Sequence, residues 1–165
     1  MKKIITTVLL VVMLVFALAS CSSDYDVYGL HYTLSSDYEK ITVPYSQNCY
    51  TDGDAYFFFV QFAPQQIEEE LGYESDITVK EYTIKFLLEN NLDLNIYEYD
   101  EARDVSVIKY DYEATEDYEI DETFYHVIMK GSTGYLYVIT MTYPISMKEI
   151  YEPEFERQIA EMYVE

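Results

Sequence analysis

The chain has no Trp, two Cys, two His, five Gly and four Pro in 165 residues. Each scarcity removes a class of protein. Two His and two widely separated Cys do not make a three-histidine or four-thiolate zinc centre. Two Cys also exclude a disulfide-dense scaffold. With so little Gly and Pro, the chain is neither collagen-like nor of low complexity. It has no Gly-rich phosphate loop and no Gly-x-Ser-x-Gly nucleophile elbow. Basic residues are scarce as well, 10 Lys and Arg against 31 Asp and Glu, for a formal net charge of −21. Such a surface repels phosphate backbones, so sequence-independent nucleic-acid binding is excluded.

Apolar residues make up 50% of the sequence and aromatics 17%, the composition of one folded domain. The N-terminus reads as an address. Met1-Lys2-Lys3 is a positive segment, and Ile4 to Ala17 is an uncharged run of 14 residues. A bilayer-crossing helix needs about 20 residues, so this run suits a secretory leader. Leu18-Ala19-Ser20-Cys21 follows, and it resembles the lipobox of bacterial lipoproteins. The resemblance implies that residues 1–20 are a lipoprotein signal peptide and that Cys21 becomes a lipidated N-terminus. Residues 21–26 would be a short tether and 27–165 the domain. Two acyl chains anchor stably where one is marginal. The expected localisation is the extracytoplasmic face of the cell membrane. Acidic charge argues against the domain lying flat on anionic headgroups. Lipidation would leave Cys49 as the one thiol, read as a small buried hydrophobe or as half of an intermolecular disulfide.

The mature segment alternates in Val27 to Leu34, with a second short strand from Glu39 to Val43. Asp52-Gly53-Asp54 is a turn before Ala55 to Phe62, whose unbroken apolar run suits a strand buried on both faces. Pro64 opens a short helix to Leu71. Thr78-Val79-Lys80-Glu81 is a capping box before an apolar stripe of Val79, Tyr82, Thr83, Phe86 and Leu87. Strands are expected at 92–99, 105–112, 123–130 and 135–143, the last two joined by the loop Gly131-Ser132-Thr133-Gly134. Ser146 to Glu149 reads as a second capping box, with Pro153 as a helix N1 proline. The expected fold is α+β, a single antiparallel β-sheet flanked by helices.

The opening Tyr28-Gly29-Leu30-His31-Tyr32-Thr33-Leu34, the Gly-loop hairpin and the ending Tyr151-Glu152-Pro153-Glu154-Phe155…Ile159 resemble the PsbP-like (DcrB-like) superfamily. Where that family follows its first turn with a Trp or similar bulky residue, this chain has Tyr38. The resemblance implies an α/β/α sandwich acting as a binding or assembly factor rather than an enzyme.

Three constellations remain. Between Asp93 and Glu122 stand twelve carboxylates against Arg103 and Lys109. The densest group is Glu116, Asp117, Glu119, Asp121 and Glu122, either a solvated acidic loop or a weak site for a hard cation such as Ca²⁺. Twenty tyrosines are either strand formers filling half-buried pleats or a protein-binding surface, since Tyr orders a large amphipathic ring at low entropic cost. His31 and His126 fall within strands beside aromatic neighbours, which favours structural roles. No cofactor and no catalytic group is expected. The expected role is an anchored accessory factor with an envelope-protein partner, the alternative being a cation- or small-ligand-binding lipoprotein using residues 93–122.

Overall fold

The computed structural model describes residues 22–27, 29–43, 46–114 and 120–165. The leader at 1–20 and Cys21 lie outside them. Seven antiparallel strands form the main sheet in the order β3-β4-β5-β9-β8-β7-β6. They are β3 (Glu39–Val43), β4 (Ser46–Thr51), β5 (Tyr56–Phe62), β6 (Tyr97–Asp100), β7 (Val105–Tyr112), β8 (Glu122–Lys130) and β9 (Leu136–Pro144). Three more strands, β1 (Ser22–Val27), β2 (Leu30–Ser35) and β10 (Tyr163–Val164), pair in the order β1-β2-β10. The helices are α1 (Pro64–Glu69), α2 (Val79–Glu89) and α3 (Lys148–Glu161).

The expectation of a single sheet flanked by helices is therefore corrected: the described strands form two sheets, and the smaller one is a layer of its own. The reason lies in β2, where Leu30, Tyr32 and Leu34 are buried while the residues between them are half-buried. Those three side chains pack onto the main sheet, so β2 lies across its face instead of extending its edge.

Along β5, β7, β8 and β9 side chains alternate between two cores, the period-two consequence of the pleat. On one face Phe57, Phe59, Tyr125, Val127, Met129, Ile139, Met141 and Tyr143 meet β2 and the Tyr151, Phe155 and Ile159 stripe of α3. This is the α3 side. On the other, Ile108, Ile128, Leu136 and Val138 meet Ile67 of α1 and Val79, Tyr82 and Leu87 of α2. This is the α2 side. The unbroken run in β5 is explained, because Phe57 and Phe59 serve one core while Val60 and Phe62 pack against the other.

Helix α2 begins as its sequence pattern requires. The Thr78 hydroxyl accepts from the Glu81 N–H at 3.2 Å, and the Glu81 carboxylate accepts from the Thr78 N–H at 3.0 Å. Helix α3 differs from expectation. Residues 145–147 form a 3₁₀ turn, the N-cap Met147 makes no side-chain cap, and Pro153 lies inside the helix. The chain end is tied down by Arg103, whose guanidinium donates to the carbonyls of Ile159 and Met162 at 2.9 and 2.7 Å. Two local expectations also shift. Residues 92–96 are not strand, so β6 covers only Tyr97–Asp100, and the alternating stretch from Val27 to Leu34 is split by a turn at Gly29.

Candidate functional site: an aromatic sheet face

Helices α1 and α2 cover only one half of their side of the sheet. The other half can be read from the strand register. Tyr56, Thr142, Phe124 and Tyr110 stand side by side on β5, β9, β8 and β7. The next row toward α2 is Phe58, Thr140, His126 and Ile108, and on the other side, away from α2, stands the row of Pro144, Glu122 and Tyr112. Short threonines on β9 thus lie between aromatic residues on either side.

Tyr56 and Tyr112 are 37% and 38% exposed, and Phe58, Tyr110 and Phe124 are half-buried. Three of these rings pack on one another. Tyr110 and Phe124 stack at 5.5 Å with planes 11° apart, and Tyr112 meets Phe124 edge-on at 6.3 Å. Such pairs contribute about 0.5–1.5 kcal/mol beyond area burial.

His126 supports this arrangement from below. Its Nδ1 lies 2.9 Å from the Thr140 hydroxyl and its Nε2 lies 3.2 Å from the Tyr110 hydroxyl, while Phe86 of α2 packs at 4.9 Å. Burial lowers its pKa to about 4, so the ring is neutral at neutral pH. A neutral imidazole has one donor and one acceptor, and the two hydroxyls use both. His126 is a strut. The hydroxyl of Thr142, 5% exposed in the row above, is buried without a hydrogen-bond partner.

The acidic residues singled out from sequence separate. Glu116, Asp117 and Glu119 lie outside the described residues. Asp121 closes the base of the β7–β8 connection, its carboxylate accepting from the Ala114 N–H at 2.6 Å. Glu122 opens β8 and is 4% exposed at the end of the aromatic face. Among the described residues, no group of three or more His, Cys, Asp or Glu is arranged to hold a metal ion. Cys49 is buried and free, and burial pushes its thiol pKa up, which makes it a poor nucleophile. His31 stacks on Tyr163 at 4.3 Å, joining β2 to β10.

A second feature was not legible in the sequence. A cleft of about 440 Å³ opens between β6 and α3, with Val107, Lys109 and Tyr125 on the sheet and Glu156 and Ile159 on the helix. Burial works against the Lys109 charge, but Glu152, with Glu156 behind it, outweighs that and holds the ammonium above its usual range. The ammonium also sits 5.0 Å from the centre of the Tyr125 ring. With the one cation of its lining already paired, the cleft offers an incoming anion little unspent positive charge. The signal missed was a lone Lys in a Tyr- and Ile-rich strand, facing two glutamates four apart on a helix.

No protein-family model matches the chain, and no curated protein does either. The match lies in the fold. The structure superposes on the solution structure of cyanobacterial PsbP (CyanoP) from Synechocystis sp. PCC 6803 with a TM-score of 0.58. The alignment covers 88% of this chain and 94% of that one at 9% sequence identity. The fold is therefore PsbP-like. A protein of unknown function from Pseudomonas aeruginosa aligns at a TM-score of 0.43 and 11% identity, over 82% of this chain and 92% of its own.

Proposed function

We propose that the protein is a lipid-anchored, extracytoplasmic accessory factor that docks a second envelope protein on the open half of its α2 side. The observation that carries this reading is the exposure of Tyr56 and Tyr112 beside half-buried Phe58, Tyr110 and Phe124, on the main sheet rather than on loops. An ordered aromatic surface immobilises few side chains on binding, which is how aromatic residues become interface anchors. The PsbP-like fold is compatible with a binding role, and the Leu18-Ala19-Ser20-Cys21 sequence supplies the anchor. No catalytic step belongs to this reading: both His126 ring nitrogens are engaged by the Thr140 and Tyr110 hydroxyls, and the Cys49 thiol is buried.

The test is in-cell cross-linking of the tagged full-length protein, beside its Cys21→Ala variant. The expected result is an envelope protein captured by the parent and lost or depleted with Cys21→Ala, which also fails to take up labelled lipid. Labelled lipid on Cys21→Ala overturns the anchor. A parent that reproducibly captures no protein overturns the accessory role.

A further inference from the structure

On the α3 side, away from the open face, the first half of α3 meets the β2–β3 and β4–β5 turns at an acidic corner. We propose that this corner, formed by Asp37, Tyr38, Asp52, Glu154 and Gln158, binds a protonated primary amine.

Two of its carboxylates are fixed by the fold. Asp52 accepts from the Asp54 and Ala55 N–H groups at 3.1 and 2.8 Å, and from the Tyr151 hydroxyl at 2.8 Å. Glu154 is half-buried and accepts from the Gln158 amide at 3.0 Å. Burial raises the Glu154 pKa, and repulsion from Asp52 and Asp37 adds to the rise. Arg157 acts the other way, but its guanidinium pairs with Glu161 at 2.9 Å.

Two buried polar atoms beside these carboxylates are unmatched. Tyr38 is 5% exposed and its hydroxyl has no hydrogen-bond partner, although it feels the charges of Asp52 and Glu154. Gln158 is fully buried, and while its amide nitrogen serves Glu154, its carbonyl oxygen has no partner. Buried polar groups left in this way are costly, so a guest that satisfies them is retained.

The chemistry of the corner selects the guest. Carboxylates and an amide carbonyl only accept, and a phenol oxygen accepts as well. The guest must therefore donate, and it must be positive to offset the repulsion at Glu154. Water supplies the hydrogen bonds and leaves the charge. A metal ion lacks ligands, since among the described residues no three carboxylates converge on one point. A primary ammonium brings three donors and one charge. The register of β1 points to a source. Ser22 pairs with Ser35, two residues before Asp37, so on the anchored reading the corner stands at the lipid-bearing end of the domain. Ethanolamine headgroups offer primary amines there, and solution offers free ones.

The test follows thermal unfolding of the full chain in neutral-detergent micelles as methylammonium chloride is added. Tetramethylammonium chloride at equal ionic strength is the control, because it carries the charge without N–H donors. Methylammonium is expected to raise Tm progressively, as binding to the folded state requires, and tetramethylammonium to leave it unchanged. Glu154→Gln is expected to weaken the amine at least tenfold. Tyr38→Phe is expected to weaken it about three- to fivefold, the loss of one hydrogen bond. Glu68→Gln, which removes the same charge from an exposed position on α1, is expected to change neither response. Without amine, Tyr38→Phe is expected to melt no lower than the parent, because its hydroxyl has no partner to lose. Circular dichroism checks folding, and Tyr38→Phe, which keeps its ring, reports even if Glu154→Gln is unstable.

Equal responses to the two salts overturn the inference. So does binding that Tyr38→Phe and Glu154→Gln leave intact, or that Glu68→Gln weakens as much as they do. Nanodiscs of phosphatidylethanolamine and of phosphatidylcholine then separate the sources. A higher Tm in the former, absent in Tyr38→Phe, assigns the headgroup, and equal Tm values assign a free amine. Only that choice of source rests on the anchored reading, which stands or falls by the labelled-lipid result.

Discussion

The two sides of the main sheet are both rich in aromatic residues and use them in opposite ways. On the α3 side, Tyr125, Tyr143 and Phe155 are at most 2% exposed, and Phe155 meets the two tyrosine rings at 5.8 and 5.2 Å. On the α2 side, Tyr110, Phe124 and Tyr112 stack just as closely, yet part of each remains at the surface. The difference lies in the cover. The α3 side is roofed by a 14-residue helix together with β2, whereas the α2 side has helices of six and 11 residues that end before the sheet does. The same residue types thus make a sealed core on one side and a displayed surface on the other.

Removing a sealed ring is expected to have the largest effect. Phe155→Ala should lower unfolding free energy by about 3–5 kcal/mol in urea titration, the usual result for a large side chain deleted from a closed core. A loss under about 1 kcal/mol would mean that α3 is not the roof described here.

The next effect separates the sides by pH. Burial holds His126 at about 4 in the folded protein, against about 6.5 when unfolded. Between those values the unfolded chain binds a proton that the folded one refuses. The stabilisation is therefore complete above about pH 6.5 and is lost as pH falls through about 4, to a limit of about 3 kcal/mol. In His126→Gln that slope should disappear, so parent and variant should converge in stability as the solution is acidified. Parallel curves would show that burial of the imidazole is not what supports the open rings.

The smallest effect is expected on the displayed surface. Phe124→Ala should cost about 1–2 kcal/mol, because the ring is only partly withdrawn from water. A cost equal to that of Phe155→Ala would abolish the distinction between the sides.

Features with local causes were the ones legible in sequence. The Thr78 and Glu81 capping box and the alternation over residues 105–112 each occupy one short window, and the structure reproduces both. The smaller sheet was not legible because its pairing is remote: β10 joins Tyr163 to His31 and Val164 to Leu30. One local signal was available and passed unread. Gly29, inside the alternating stretch, has φ +82° and turns the chain, so the pattern from Val27 to Leu34 belongs to two strands. Pro153 similarly resembled a helix start because α3 tolerates it within its second turn. The tyrosine-rich composition left open whether the rings fill half-buried pleats or form a surface, and the structure has both buried and exposed tyrosines. Which rings remain in contact with water depends on where α2 stops relative to the sheet, and no residue spacing encodes that.

The register of β1 has a mechanical consequence. Ser22 already pairs with Ser35, so the residue following Cys21 belongs to a hydrogen-bonded ladder, where the sequence alone had placed a tether through Asp26. On the anchored reading, the acyl chains are bolted almost directly to a rigid plate. That same reading holds the domain at one height above the bilayer and within a narrow range of tilt, with no tether through which it could swing.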